Sequence, residues 1–140
     1  MEIKKLINNT LNLVIKRFIE LFGLFISLLG ILLLISLLSY SPDDPNFIFS
    51  NSNKIQNLLG FNGSFVSDIL FQSLGVISCL IPVTIFFNGI NIILSKKILF
   101  IIENLFFVIL YSLVGSLFFS IFYTESFFLQ LNGNGGFVGN

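Results

Sequence analysis

Residues Leu21 to Leu38 read LFGLFISLLGILLLISLL, and this run decides the fold. Its only interruptions are Gly23, Ser27, Gly30 and Ser36, all small and none charged. A helix rises about 1.5 Å per residue, so the run, with one residue more on each side, matches a hydrocarbon core of roughly 30 Å. A signal peptide would have a shorter apolar region, about 7–15 residues, ending in a small-residue cleavage site. Here Ser39-Tyr40-Ser41-Pro42 is a poor site, so an uncleaved span is expected.

Composition extends that reading to the whole chain. The 140 residues are 55% hydrophobic and 10% charged, with a mean hydropathy of +0.98. A soluble domain carries about 25% charged residues, so the solvent for most of this chain is the lipid bilayer. The formal net charge of zero offers no bulk basic surface for nucleic acid. The single Cys79 can form neither an internal disulfide nor a zinc site, and reads as an apolar packing residue. The absence of histidine excludes Ser-His-Asp and Cys-His chemistry. No G-x-x-x-x-G-K-[ST] loop occurs, and the glycine-rich stretch from Gly133 to Gly139 lacks the following lysine of a phosphate cradle. The carboxylates are scattered, so no catalytic, cofactor or metal site is expected.

The fold class expected is all-α: a polytopic helical membrane protein with three transmembrane helices and an N-terminal amphipathic helix. Residues 1–17 form the basic amphipathic segment. Leu6, Leu11, Val14, Ile15 and Phe18 recur at near-helical spacing among Lys4, Lys5, Lys16 and Arg17, which suits a helix lying on the membrane surface. Residues 18–140 form the membrane region, with spans at about 19–40, 69–94 and 100–123. An outer loop covers 41–67 and an outer tail 124–140. Pro42 and Pro45 stop the first helix, and Asn51-Ser52-Asn53 and Asn62-Gly63 are turn signals. Phe47, Ile48, Phe49, Ile55, Leu58, Leu59, Phe61 and Phe65 should hold the loop against the membrane surface or the span tops.

Ser67 or Asp68 is expected to cap the second span, and Pro82 to kink it. Ser95-Lys96-Lys97 is short enough to join the second and third spans as an antiparallel hairpin. Lys4, Lys5, Lys16, Arg17, Lys96 and Lys97 then share one side, and only Lys54 lies on the other. The positive-inside rule puts the N-terminus in the cytoplasm.

Small residues line up within each span: Gly23, Ser27 and Gly30; Gly75 and Cys79; Ser112, Ser116 and Ser120. Such stripes let backbones approach closely. Packing within the chain is the leading reading, and a homo-oligomer interface the alternative. Glu103 reads as a charge at headgroup depth near Lys96 and Lys97. An ion relay would need buried partners, for which only Asn88, Asn91 and Asn104 are available.

One ordered set of residues is more specific. Tyr40-Ser41-Pro42-Asp43-Asp44-Pro45 is followed by Asn57-Leu58-Leu59-Gly60-Phe61-Asn62-Gly63, then by Asp68, Gly75 and Pro82. The chain resembles the N-terminal four-span membrane region of the FtsK/SpoIIIE septal DNA translocases. That family has a Tyr-x-Pro-x-Asp-Pro loop, an Asn-x-x-Gly-x-x-Gly turn and an Asp-headed second span. Gly135-Gly136-Phe137-Val138-Gly139 is similar to the Gly-Gly-x-x-Gly at the head of its fourth span.

The resemblance implies a module anchored in the cell inner membrane at the division septum. It implies oligomers there, other septal division proteins as partners, and a role in chromosome segregation and cell division. In the family a linker and an ATP-driven motor follow. This chain stops where the fourth span should begin and carries neither, so no ATPase activity and no direct nucleic-acid binding are expected of it. The alternative is a stand-alone pore former or transporter subunit, motivated by Gln72, Asn88, Asn91 and Glu103.

Overall fold

The computed structural model describes residues 2–45, 54–125, 129 and 132–140. The expectations for Phe47 to Phe49 and for Asn51-Ser52-Asn53 lie outside the described residues. The helices are α1 (Glu2–Leu38), α2 (Gly60–Leu74), α3 (Leu80–Ser95), α4 (Phe100–Phe122) and the short α5 (Gly136–Gly139). A 3-10 segment, Gly75–Cys79, joins α2 to α3. Among the described residues there is no strand. Three stretches of the described residues are long and apolar enough to cross a membrane: Glu2–Leu38, Gly60–Ser95 and Ile101–Phe122.

The distribution of burial is that of a chain solvated by lipid. Among the described residues the buried hydrophobics are few: Leu37, Phe71, Ile92 and Leu129. Twelve polar or charged residues among those described are buried, Ser27, Asp44, Asn57, Asp68 and Ser116 included, while apolar side chains cover the outside. In lipid an exposed leucine costs nothing, whereas an unpaired polar group costs several kcal/mol. Polar groups therefore turn inward and bond to one another.

α1 is one continuous helix of 37 residues, where a separate amphipathic helix of residues 1–17 was expected ahead of the span. Neither proline nor glycine occurs between Glu2 and Phe22 to break it. At about 1.5 Å per residue α1 is roughly 55 Å long, well beyond the hydrocarbon thickness. α3 packs antiparallel along its second half. A Cβ on Gly23 would lie 2.8 Å from Gly89 O, and one on Gly30 would lie 2.7 Å from Phe86 N. Ser27 Oγ donates to Phe86 O at 3.2 Å between these two glycines. The stripe Gly23, Ser27, Gly30 is thus occupied by this chain's own α3.

The second apolar stretch breaks at Gly75, not at Pro82. Gly75 has φ 73°, a left-handed backbone that glycine adopts without a Cβ penalty. Pro82 is the third residue of α3, inside the first turn, where a missing N–H removes no helical bond. Nor does Asp68 cap a helix. α2 starts at Gly60, so Asp68 lies inside it.

α3 and α4 form a hairpin joined by two polar pairs. Thr84 Oγ1 and Tyr111 OH are 2.9 Å apart, and Asn104 Nδ2 donates to Asn88 Oδ1. Intramembrane bonds of this kind average about 0.6 kcal/mol. Asn104→Leu is therefore expected to cost about that much, seen as a small drop in the midpoint of an unfolding titration in mixed micelles. A drop above about 2 kcal/mol would mean that Asn104 holds more than this hairpin.

Candidate functional site

The residues singled out between Tyr40 and Asp68 converge at one end of the bundle, the end that carries Pro42 and Pro45. α1 ends at Leu38, and its last carbonyls need donors because no further turn follows. Asn57 supplies them from a distance. Its Nδ2 donates to Ser36 O at 2.9 Å and to Ser39 O at 3.3 Å. Its Oδ1 accepts the Leu59 N–H at 3.1 Å. The side chain is fully used, and Asn57 is 4% exposed.

Asp44 holds the strand of loop that presents Asn57. Its Oδ1 accepts the Gln56 N–H at 2.7 Å and its Oδ2 the Asn57 N–H at 2.9 Å. A carboxylate accepting two backbone donors forms stronger bonds than a neutral acceptor. Ser39 Oγ accepts the Leu58 N–H at 3.1 Å. Ser36 Oγ donates to Gly63 O at 2.7 Å, and Ser64 Oγ donates to Pro45 O at 3.1 Å. Tyr40 OH donates to Asp68 Oδ1 at 3.1 Å, and the Tyr40 and Phe71 rings pack tilted at 44°, with centroids 4.8 Å apart. Below this polar knot Leu37, Phe71 and Leu129 form an apolar cluster, against which Leu33, Tyr40, Leu70, Val76 and Cys79 pack.

A second junction lies beside it. Gly135, Gly136 and Gly139 pack into the break at Gly75 and onto α4, so the tail is not free. The Val76 N–H donates to Asn134 O at 2.9 Å. Gly75 and Gly136 both have positive φ and lie against each other, and a Cβ on Gly135 would sit 2.6 Å from Ser116 O. Ser116 Oγ donates to Gly135 O, and Ser120 Oγ to Asn140 Oδ1 at 2.9 Å. Asn134 Nδ2 reaches Tyr123 O at 2.9 Å and Glu125 O at 2.6 Å. Asn132 Nδ2 donates to Gln72 Oε1 at 3.0 Å. Two of the three stripe serines of α4 therefore bind this chain's own tail. Among the described residues the buried Ser112 Oγ meets no hydrogen-bond partner.

Gly60, with φ 66°, makes the tight entry to α2, and its N–H donates to Asn57 O at 2.9 Å. Pro42 is exposed and takes no part in the knot beyond ending the chain's helical path. The junction residues missed by sequence reasoning are Ser36, Ser39, Ser64, Asn132 and Asn134. Only the Asn132-Gly133-Asn134-Gly135 turn pattern hinted at any of them. Lys96, expected near Glu103, pairs instead with Glu20 at 2.8 Å. Glu103 lies exposed in the first turn of α4.

Among the described residues no group of three His, Cys, Asp or Glu could hold a metal ion. The polar set Gln72, Asn88, Asn91 and Glu103 is not gathered into one path. Gln72 faces Asn132, Asn88 faces Asn104, and Asn91 and Glu103 are exposed. What the site can do is mechanical: it fixes the angle at which α2, the 3-10 break and the tail leave α1.

The family model described as the 4TM region of DNA translocase FtsK/SpoIIIE matches residues 15–140. The chain is 36% identical over 69 residues to DNA translocase FtsK of Rickettsia bellii, covering 49% of this chain and 9% of that protein. It is 38% identical over 64 residues to DNA translocase FtsK of Rickettsia prowazekii, covering 46% and 9%. The match to DNA translocase FtsK of Azospirillum brasilense is 32% over 87 residues, covering 61% and 14%. The matched part is thus about a tenth of the length of these curated relatives. No solved structure matches the chain. With three membrane-crossing stretches and a family match over nearly its whole length, this multi-pass membrane protein belongs to the family of the FtsK/SpoIIIE 4TM region.

Proposed function

We propose that this chain is the membrane-anchoring module of a DNA translocase that serves chromosome segregation and cell division. The observation that carries the reading is the family match over residues 15–140 together with the junctions built from Asp44, Asn57, Gly75 and Gly135. Its work is positional. The spans hold it in the cell inner membrane, and the junctions keep the helices at fixed angles so that a cytoplasmic motor has a rigid base. The module itself hydrolyses no ATP and binds no DNA.

The topology that goes with this places the N-terminus and the Lys96-Lys97 turn in the cytoplasm, with spans at about 19–40, 69–94 and 100–123. Lys16, Arg17, Lys96 and Lys97 on one side favour it by the positive-inside rule. Residues 41–67, which include the first turns of α2, and the tail at 124–140 then face outward. Copies gather at the septum with other division proteins. The small-residue stripes of α1 and α4 are largely used within the chain, so contacts between copies fall to the exposed apolar face of α4, which carries Phe106, Val114 and Ile121. A fluorescent fusion to the N-terminus is expected to form a band at the division plane of dividing cells. Even fluorescence around the whole envelope would remove the septal part of the proposal.

A further inference from the structure

Two cations from distant parts of the chain share one carboxylate at the end of the bundle opposite the prolines. Arg17 Nη1 donates to Glu20 Oε2 at 2.6 Å, and Lys96 Nζ lies 2.8 Å from Glu20 Oε1. Arg17 and Glu20 are one turn apart on α1, whereas Lys96 closes α3. One carboxylate offsets one charge, and Lys97 adjoins, so the cluster keeps a surplus of positive charge. A guanidinium has five N–H donors and an ammonium three, more than Glu20 can accept. The Arg17 and Lys96 side chains remain 77% and 41% exposed.

The backbone supplies an independent sign. Lys96 has φ 57°, and among the described residues no other non-glycine has positive φ. The residue just past a helix with a left-handed backbone is ordinarily glycine. Backbone strain of this kind clusters at active sites, ligand clamps and switch regions. Beside Arg17, moreover, Leu13, Val14, Phe18 and Leu21 line an open apolar groove of about 240 Å³. A cation pair flanked by such a groove matches a ligand with an anionic head and an apolar tail.

We propose that Arg17 and Lys96, held side by side by Glu20, bind the phosphate of an anionic phospholipid, whose acyl chain follows the Leu13–Leu21 groove. The site requires only that these helices cross a bilayer. It needs neither the septal role nor the cytoplasmic orientation, so its failure and theirs are separable. Free phosphate shares the head chemistry but not the groove.

The test uses the full chain purified in detergent, with phosphatidylglycerol and phosphatidylcholine added in equal amounts and the retained lipids read by native mass spectrometry. Phosphatidylglycerol is expected to be preferred about tenfold. Arg17→Gln with Lys96→Gln should bring the two lipids near parity. Lys4→Gln with Lys16→Gln removes the same charge from the same side and should leave the preference intact. Lys96→Gly relieves the backbone, so it should keep or raise thermal stability while lowering the preference. Equal retention of both lipids by the unaltered chain overturns the proposal. So does an equal loss in the Lys4/Lys16 variant, which would mean diffuse charge. Displacement of phosphatidylglycerol by an equal concentration of inorganic phosphate would show that the groove contributes nothing, and that too overturns it.

Discussion

Gly89→Leu is expected to part α1 from α3 and cost about 3 kcal/mol, near the upper end for overpacking a tight interface. A Cβ at Gly89 would lie 2.5 Å from both Gly23 O and Ser27 N, and these are backbone atoms of the facing helix. No rotamer change relieves such a clash. The helices must separate, which breaks the Ser27 Oγ–Phe86 O bond and opens the contacts at Gly23 and Gly30. In lipid, close backbone packing is a main source of helix association, because the hydrophobic effect between spans is absent. Val114→Leu, on the exposed face of α4, adds bulk where none of this chain's own helices packs, and in a single copy of the chain should change stability by less than about 0.5 kcal/mol. Unfolding titrations of both variants with a denaturing detergent in mixed micelles make the comparison. Equal midpoints for the two would sink the account of the α1–α3 interface.

How far the sequence discloses this architecture varies with the range of the interaction. The three apolar stretches are legible because each helix satisfies its own backbone and needs only length and composition to be read. Breaks inside them are less so. Pro82 draws attention as a kink, yet it sits harmlessly in a first turn, and the break falls at Gly75 because the tail must approach there. Asp68 has the residue type of a cap, but Gly60 already opens the helix and Asp68 turns to Tyr40. Asp44 and Asn57 stand out in sequence through the family pattern. Their partners do not, because Asn57 bonds across 18 and 21 residues to carbonyls of Ser39 and Ser36. The same holds for Glu20 and Lys96, whose pairing depends on the antiparallel register of α1 and α3. Stripes of small residues are visible as stripes, but which helix fills them is a tertiary fact.

Asp44→Ala is the second large effect expected, because the loop from Gln56 to Leu59 hangs on that carboxylate. Its removal leaves the Gln56 and Asn57 N–H groups without the acceptors they now have. Losing the partner of a buried donor costs about 1–3 kcal/mol, so a total of about 3 kcal/mol is expected for two, one of them on the buried Asn57. The consequence spreads. Asn57 leaves its register, so Ser36 O and Ser39 O lose their Nδ2 donor and the end of α1 frays. Asn57→Ala attacks the same unit from the other side and should cost a similar amount. Because both belong to one network, the double variant should destabilise less than the sum of the two, by at least about 0.5 kcal/mol. Asp44→Asn is no rescue, since one carboxylate oxygen becomes an NH2 group that meets a backbone donor. Amide hydrogen exchange is the more local readout. In Asp44→Ala the Gln56, Asn57 and Leu59 amides should exchange faster, while those in the middle of α4 keep their protection. Unchanged exchange at Asn57 would mean that the loop is held by something other than Asp44, and the knot would then have to be rebuilt around Ser39 and Ser64.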